Sequence, residues 1–261
     1  MRWRFLRRLS VRGDHGPSHG SRPQTQPLRR LNCSGQQGER LAALEEEITS
    51  CRRCPRLVEW REQVAREKKA AYSSEEYWGR PISGFGDPDA RVVVFGLAPA
   101  AHGANRTGRF FTGDRSGDFL FGALYRTGFS SSPVSRRAGD GLRLYGLWIS
   151  AAVRCAPPKN KPTPAERDAC LPYAAREFEL LPCAKVVVCL GAFAWDAALR
   201  IFEVKPKPTF AHGAERTTPS GLNLLGCYHP SQQNTFTGVL TEPMLDAVLL
   251  RARELAQSEA S

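Results

Sequence analysis

Four short runs dominated by apolar residues, at 91–95, 147–153, 185–190 and 222–227, are separated by longer segments of mixed polarity. Apolar residues at consecutive positions, with little alternation, mark strands buried on both faces of a sheet. The segments at about 116–127, 164–180, 192–201 and 242–256 space their apolar positions for helices. The last has Thr241 at the N-cap position and Pro243 in its first turn. Upstream, Leu41, Leu44 and Ile48 fall at helical spacing and predict a short helix that ends near Cys51. Strands alternating with helices predict an α/β fold with three layers, α/β/α, around a central, mainly parallel four-stranded sheet.

Three unusual loops leave the carboxyl ends of these predicted strands. One holds Gly96, Leu97, Ala98, Pro99 and Ala100, with His102 just beyond. A second holds Pro157, Pro158 and Asn160, and a third holds His229 and Ser231. In open parallel sheets that edge is where ligands bind. The small residues of the first loop let a ligand approach backbone N–H groups closely.

A chain of 261 residues, 41% hydrophobic, can bury one substantial core. Its longest apolar run, residues 186–195, is about half of the roughly 18 residues needed to cross a membrane. The opening MRWRFLRRLS lacks the apolar stretch of a secretory signal. A cytoplasmic location is therefore expected, where thiols stay reduced and eight cysteines read as metal binding more than disulfides. The net charge of +11 is unevenly spread: residues 1–38 hold eight Arg and one acid (8 − 1 = +7), leaving +4 for residues 39–261. The expected organisation is a disordered basic tail over 1–38 and one domain over 39–261. The tail reads as a DNA-binding arm, a dispensable extension or a start codon placed too far upstream. The remaining basic surplus is compatible with phosphate contacts and does not establish them.

Four of the cysteines form two unlike pairs. Cys51 and Cys54 make a C-x2-C, and Cys155 and Cys170 follow about a hundred residues later with fourteen residues between them. A tight pair gathered with two distant thiols suits a tetrahedral zinc site or an iron–sulfur cluster, and spacing alone leaves both open. Cys183, Cys189 and Cys227, in or beside apolar strands, and Cys33 in the tail read as small buried hydrophobes.

Taken in order, the C-x2-C, GLAPAAHGANRTGRFFTGDRSG at 96–117, RCAPPKNKPTPAERDAC at 154–170 and YHPS at 228–231 resemble the uracil-DNA glycosylase superfamily. The best match is its iron–sulfur branch, family 5 or type b, over roughly residues 40–256. The resemblance implies a [4Fe–4S] cluster held by Cys51, Cys54, Cys155 and Cys170 in a structural role, pinning Arg52, Arg53 and Arg56 toward DNA. It implies a base pocket lined by Gly96, Leu97, Ala98, Pro99 and Ala100, with the catalytic water held there. Phe111 matches the aromatic that stacks on the flipped base. His229 would donate a hydrogen bond to the base carbonyl as charge develops, with Ser231 beside it and residues 232–234 reaching the minor groove.

Two departures from the related patterns carry chemical weight. Family 4 has an acid where Leu97 stands, so water must be positioned elsewhere, and Asn105 and Asn160 are the nearest candidates. Both amides orient water without taking its proton. Asp114 and Asp118 are carboxylates further along that read as loop or cap residues. At the position where uracil-selective branches carry an Asn, this chain has Ala151. Losing that amide predicts broad specificity for uracil, hypoxanthine and xanthine in DNA, because hydrogen-bonding sites reject analogues better than apolar ones. No lysine sits in the motifs as an obvious Schiff-base nucleophile, so a monofunctional hydrolase that leaves an abasic site is expected; a monomer is expected as well. The competing readings are a uracil-only family 4 enzyme, a non-catalytic metal-stabilised nucleic-acid-binding protein and a redox iron–sulfur protein. The last lacks a G-x-G-x-x-G after a strand.

Overall fold

The computed structural model describes residues 37–258, so the expectations for the tail and for Cys33 lie outside the described residues. The elements run α1 (Gln37–Ser50), α2 (Pro55–Glu67), β1 (Phe85–Gly86), β2 (Val92–Gly96), α3 (Ala104–Thr107), α4 (Arg115–Arg126) and β3 (Leu147–Ala151). They continue with α5 (Pro164–Glu179), β4 (Val186–Leu190), α6 (Ala192–Ile201), β5 (Glu215–Thr217), β6 (Asn223–Cys227), α7 (Gln232–Phe236) and α8 (Glu242–Gln257).

The sheet order is β1-β3-β2-β4-β6-β5. The four apolar runs form its parallel centre, with Gly96 opposite Ala151 and Phe95 opposite Cys189. Two strands escape the sequence pattern. β1 pairs antiparallel with β3, and β5 pairs antiparallel with β6, so the sheet has six strands rather than four. Both additions are edge strands of two and three residues, and β5 is exposed throughout. Such pieces carry no buried apolar run to announce them.

Successive residues of each central strand point to opposite faces, which divides the core in two. Val92, Val94, Leu147, Ile149, Val186 and Val188 pack with Leu120, Leu124, Leu245 and Leu249 of α4 and α8. Val93, Phe95, Val187 and Cys189 pack with Leu44, Ile48, Tyr173 and Trp195 of α1, α5 and α6. Three layers result, as the apolar pattern requires. α5 is well started: Thr163 accepts from the Glu166 N–H, and Glu166 returns a bond to the Thr163 N–H, a reciprocal cap. Thr241 occupies the N-cap position of α8 without a side-chain cap bond. Among the described residues, no helix is long and apolar enough to cross a membrane.

The chain steps from β2 to β3 on one side, then crosses back over β2 to β4. Loops leaving the sheet there diverge, which opens a crevice at the carboxyl edge.

Candidate active site

That crevice is a cavity of about 1100 Å³. Leu97, Ala98, Pro99, Ala100, Phe111, Asn160, His229 and Ser231 all line it, so the loops after β2, β3 and β6 do converge. Three sequence-derived candidates stand apart. Gly96 ends β2 beneath the wall, where a Cβ would come within 2.9 Å of the Phe111 ring. Its role is to clear space for that ring. Ala151, the last residue of β3, is buried in the core on the α4 side of the sheet and does not line the cavity. Asn105 needs the same correction: it is 1% exposed, outside the lining, and its Nδ2 donates to the Arg61 carbonyl at 3.1 Å. The short helix α3 turns it away from the cavity and toward α2.

Phe111 holds a left-handed backbone, φ 51°, sparsely populated for a side-chain-bearing residue. Gly117 permits it, because a Cβ there would collide with the Phe111 carbonyl. Strain of this kind fixes an aromatic face where packing alone would not. Phe110 is fully buried in the core and backs the wall of the same cavity, whereas Phe111 is only partly buried. The Phe111 and His229 ring centroids lie 6.1 Å apart.

His229 follows β6 and packs against Gly191, whose missing Cβ would sit 3.3 Å from the His229 Cβ. Asn234 Nδ2 donates to the His229 carbonyl at 2.9 Å, and Ser231 caps α7 by accepting from the Asn234 N–H. Asn234 thus braces the loop, leaving Gln232 and Gln233 facing the cavity. Burial lowers the His229 pKa from 6.5 to about 4, so the imidazole is neutral near pH 7.

Further polar groups join the wall of the cavity. Asp114 is the N-cap of α4, accepting from the Gly117 N–H at 2.9 Å, and its carboxylate also lines the cavity. Burial, more than the neighbouring Asp118, raises its pKa above the ordinary aspartate value. Cap and base are compatible roles, and a cap is all that the pattern D-R-S-G signals. His102 lines the cavity, with Nδ1 3.1 Å from the Tyr77 hydroxyl. That hydroxyl also accepts from the Lys69 N–H at 3.3 Å, which fixes the His102 ring against the segment before β1. Lys69, Arg115 and Arg136 add positive charge to the lining.

Cys51, Cys54, Cys155 and Cys170 line a separate small pocket with Leu57, Val58, Val153 and Tyr173. All four are free thiols. Among the described residues, no three His, Cys, Asp or Glu side chains are grouped to hold a metal ion. Burial pushes the Cys155 thiol up to about 11 and Cys170 to about 12. Arg61, with 2% of its side chain exposed, donates to the Cys155 Sγ at 2.9 Å, and the Arg154 N–H donates to the Cys170 Sγ at 3.3 Å. The surrounding arginines are paired: Arg52 with Glu62, Arg53 with Glu47, and Arg56 with Glu166 at 2.7 Å. All three guanidinium groups remain exposed at the surface while paired.

A mainly parallel sheet whose carboxyl edge carries an aromatic ring, a neutral imidazole and a buried carboxylate around one cavity places the chain among the α/β/α proteins with a polar crevice at that edge. The family model for the uracil DNA glycosylase superfamily matches residues 83–252. A type-5 uracil-DNA glycosylase of Mycobacterium bovis is 54% identical over 215 residues, covering 81% of this chain and 80% of that protein. One from Thermus thermophilus is 54% identical, covering 82% and 97%. A type-4 uracil-DNA glycosylase of Archaeoglobus fulgidus is 29% identical over 64% of this chain and 67% of its own length. The chain belongs to the uracil-DNA glycosylase superfamily, on its type-5 branch.

Proposed function

We propose that this protein hydrolyses the N-glycosidic bond between uracil and deoxyribose in DNA, and that hypoxanthine and xanthine are substrates too. The observation that carries the reading is the meeting of Phe111, His229, Asn160 and Asp114 at one cavity. A damaged base leaves the helical stack at a cost of a few kcal/mol, least at mispairs, and enters a pocket. Phe111 offers it a π-face, worth about 1–3 kcal/mol and tolerant of base identity. As the C–N bond lengthens, the sugar takes on oxocarbenium character and the base becomes anionic. Neutral His229 donates N–H to the base carbonyl oxygen, and peptide N–H groups of the Ala98–Ala100 loop assist.

Asn160 orients the attacking water and Asp114 accepts its proton. A buried carboxylate of raised pKa is a stronger base than an exposed one, provided that it remains ionised at the working pH. Broad base choice is supported by Phe111, whose ring face stacks on any base without reading its edge.

The four thiols are proposed to hold a [4Fe–4S] cluster. Their donor set is all sulfur, and they surround one cavity without converging on a point, which suits a cage bringing its own iron and sulfide. Arg61 is a buried cation whose nearest carboxylate oxygen, on Glu62, is 3.8 Å away, and its Nε has no hydrogen-bond partner. A buried cation without close pairing is costly, so an anionic centre at the thiols supplies the missing partner. When bound, the cluster would tie α2 to the loop after β3 and to α5.

Base release from duplexes carrying uracil, hypoxanthine or xanthine, by anaerobically purified protein, tests the reading. All three bases should be released, leaving an abasic site with no borohydride-trapped adduct. Release of uracil alone would remove the broad specificity, and release of none would remove the activity.

A further inference from the structure

Between the thiol pocket and the base cavity runs a continuous line of hydrogen bonds, and Arg61 is its centre. Its guanidinium donates to the Cys155 Sγ at 2.9 Å and to the Cys51 carbonyl at 3.2 Å. Its own carbonyl accepts from Asn105 Nδ2 at 3.1 Å, and the Asn105 N–H donates to the Ala100 carbonyl at 3.0 Å. Ala100 lines the base cavity. The Asn105 carbonyl in turn accepts from the Gly79 N–H at 3.0 Å. Both Arg61 and Asn105 are buried to within 2% of full enclosure, and the Asn105 Oδ1 has no partner. Two buried polar residues without catalytic contact are expensive unless they hold something in place.

We infer that Arg61 and Asn105 form a positioning bridge through which the sulfur-ligated centre sets the shape of the Leu97–Ala100 wall. The inference rests on the cluster reading above for one of its two consequences. An N–H donated to a cluster-bound thiolate stabilises the reduced, more negative state, so Arg61 raises the reduction potential of the centre. The other consequence needs no assumption about the metal. Breaking the bridge at either residue loosens the wall and weakens binding of the extruded base without removing a reacting group.

The test uses the full chain, purified anaerobically, as wild type, Arg61→Gln, Arg61→Lys and Asn105→Ala. Iron and sulfide per chain, the potential from an EPR-monitored titration, and separate KM and kcat on a uracil duplex are measured. Arg61→Gln should lower the potential and raise KM roughly 5-fold or more, a typical coupling between two sites, with kcat nearly unchanged. Arg61→Lys should restore part of both. Asn105→Ala should reproduce the KM rise while keeping wild-type iron content and potential.

A wild-type KM in Asn105→Ala overturns the bridge, and a wild-type potential in Arg61→Gln overturns its contact with the centre. Should Arg61→Gln be insoluble, Arg61→Lys and Asn105→Ala decide by the same criteria. Zinc instead of iron in the wild type would overturn the cluster reading and the redox consequence. The KM comparison would still decide the bridge.

Discussion

The cavity between the loops after β2, β3 and β6 holds about 1100 Å³ and is lined by carboxylates, amides, imidazoles and cations. The space among the four thiols holds about 20 Å³ and is walled by Leu57, Val58 and Val153. Both are fed by the loop that leaves β3, since Cys155 and Asn160 are five residues apart. One side of that loop faces an open polar space where a large ligand enters and departs. The other faces a small corner lined by thiols and apolar side chains, which braces the scaffold. Away from the Arg61–Asn105 bridge, chemistry and scaffolding are therefore separable by mutation, and the substitutions below should each move mainly one set of observables.

The largest effect is expected at Asp114. Asp114→Asn keeps an N-cap acceptor for α4 but removes the base, so base release on a uracil duplex should fall by about 10²- to 10⁴-fold. Thermal unfolding and iron content should match wild type. Loss of α4 stability in place of activity would show that the carboxylate serves only the helix.

His229→Gln comes next, with kcat reduced about 10²- to 10³-fold, the usual cost of one pre-aimed donor. It also has a pH signature. The folded-state pKa of about 4 lies below the ordinary 6.5, so between these values the unfolded chain binds more protons. Wild-type stability should fall as pH drops through that window, by on the order of 3 kcal/mol at full protonation. His229→Gln should lack this component, so its stability relative to wild type improves on acidification. Parallel unfolding curves at pH 7 and pH 4 for the two proteins would show that His229 is not held neutral by burial.

On the scaffolding side, Cys170→Ser should abolish the visible absorbance of bound iron and lower the melting temperature by roughly 10 °C, about 3 kcal/mol for a chain of this size. Residual base release below that temperature is expected, because Cys170 touches no part of the open cavity. Full retention of iron would sever Cys170 from the centre.

The same contrast explains what could be read from the sequence. The parallel strands were legible because burial on both faces demands uninterrupted apolar runs such as V-V-V-F and V-V-V-C-L. The loops at their ends were legible because few ordinary turns combine Pro, His and small residues at one sheet edge. β1 and β5 were not, since edge pairing through backbone groups alone leaves no side-chain signature. Asn105 was misplaced for a different reason. Neighbours in sequence on a four-residue helix point in different directions, and which one faces the cavity depends on where α2 packs. Asp114 was undervalued because a helix cap and a buried base use the same residue type in the same turn. Ala151 sits at the right strand end, but its methyl group points into the core on the α4 side.

The smallest expected effect belongs to Phe111 and concerns binding more than chemistry. Phe111→Leu keeps an apolar side chain over Gly96 and keeps the left-handed backbone, so its cost should come from the lost ring face alone. Stacking on one base is worth about 1–3 kcal/mol, which corresponds to a KM increase of roughly 5- to 150-fold with kcat little changed. Because every base has a π-face, uracil, hypoxanthine and xanthine substrates should all weaken, the larger purine-type bases most. A loss confined to uracil would mean that Phe111 recognises an edge rather than a face. A fall in kcat equal to the rise in KM would place the ring in the transition state, beside His229, instead of in the entry of the base.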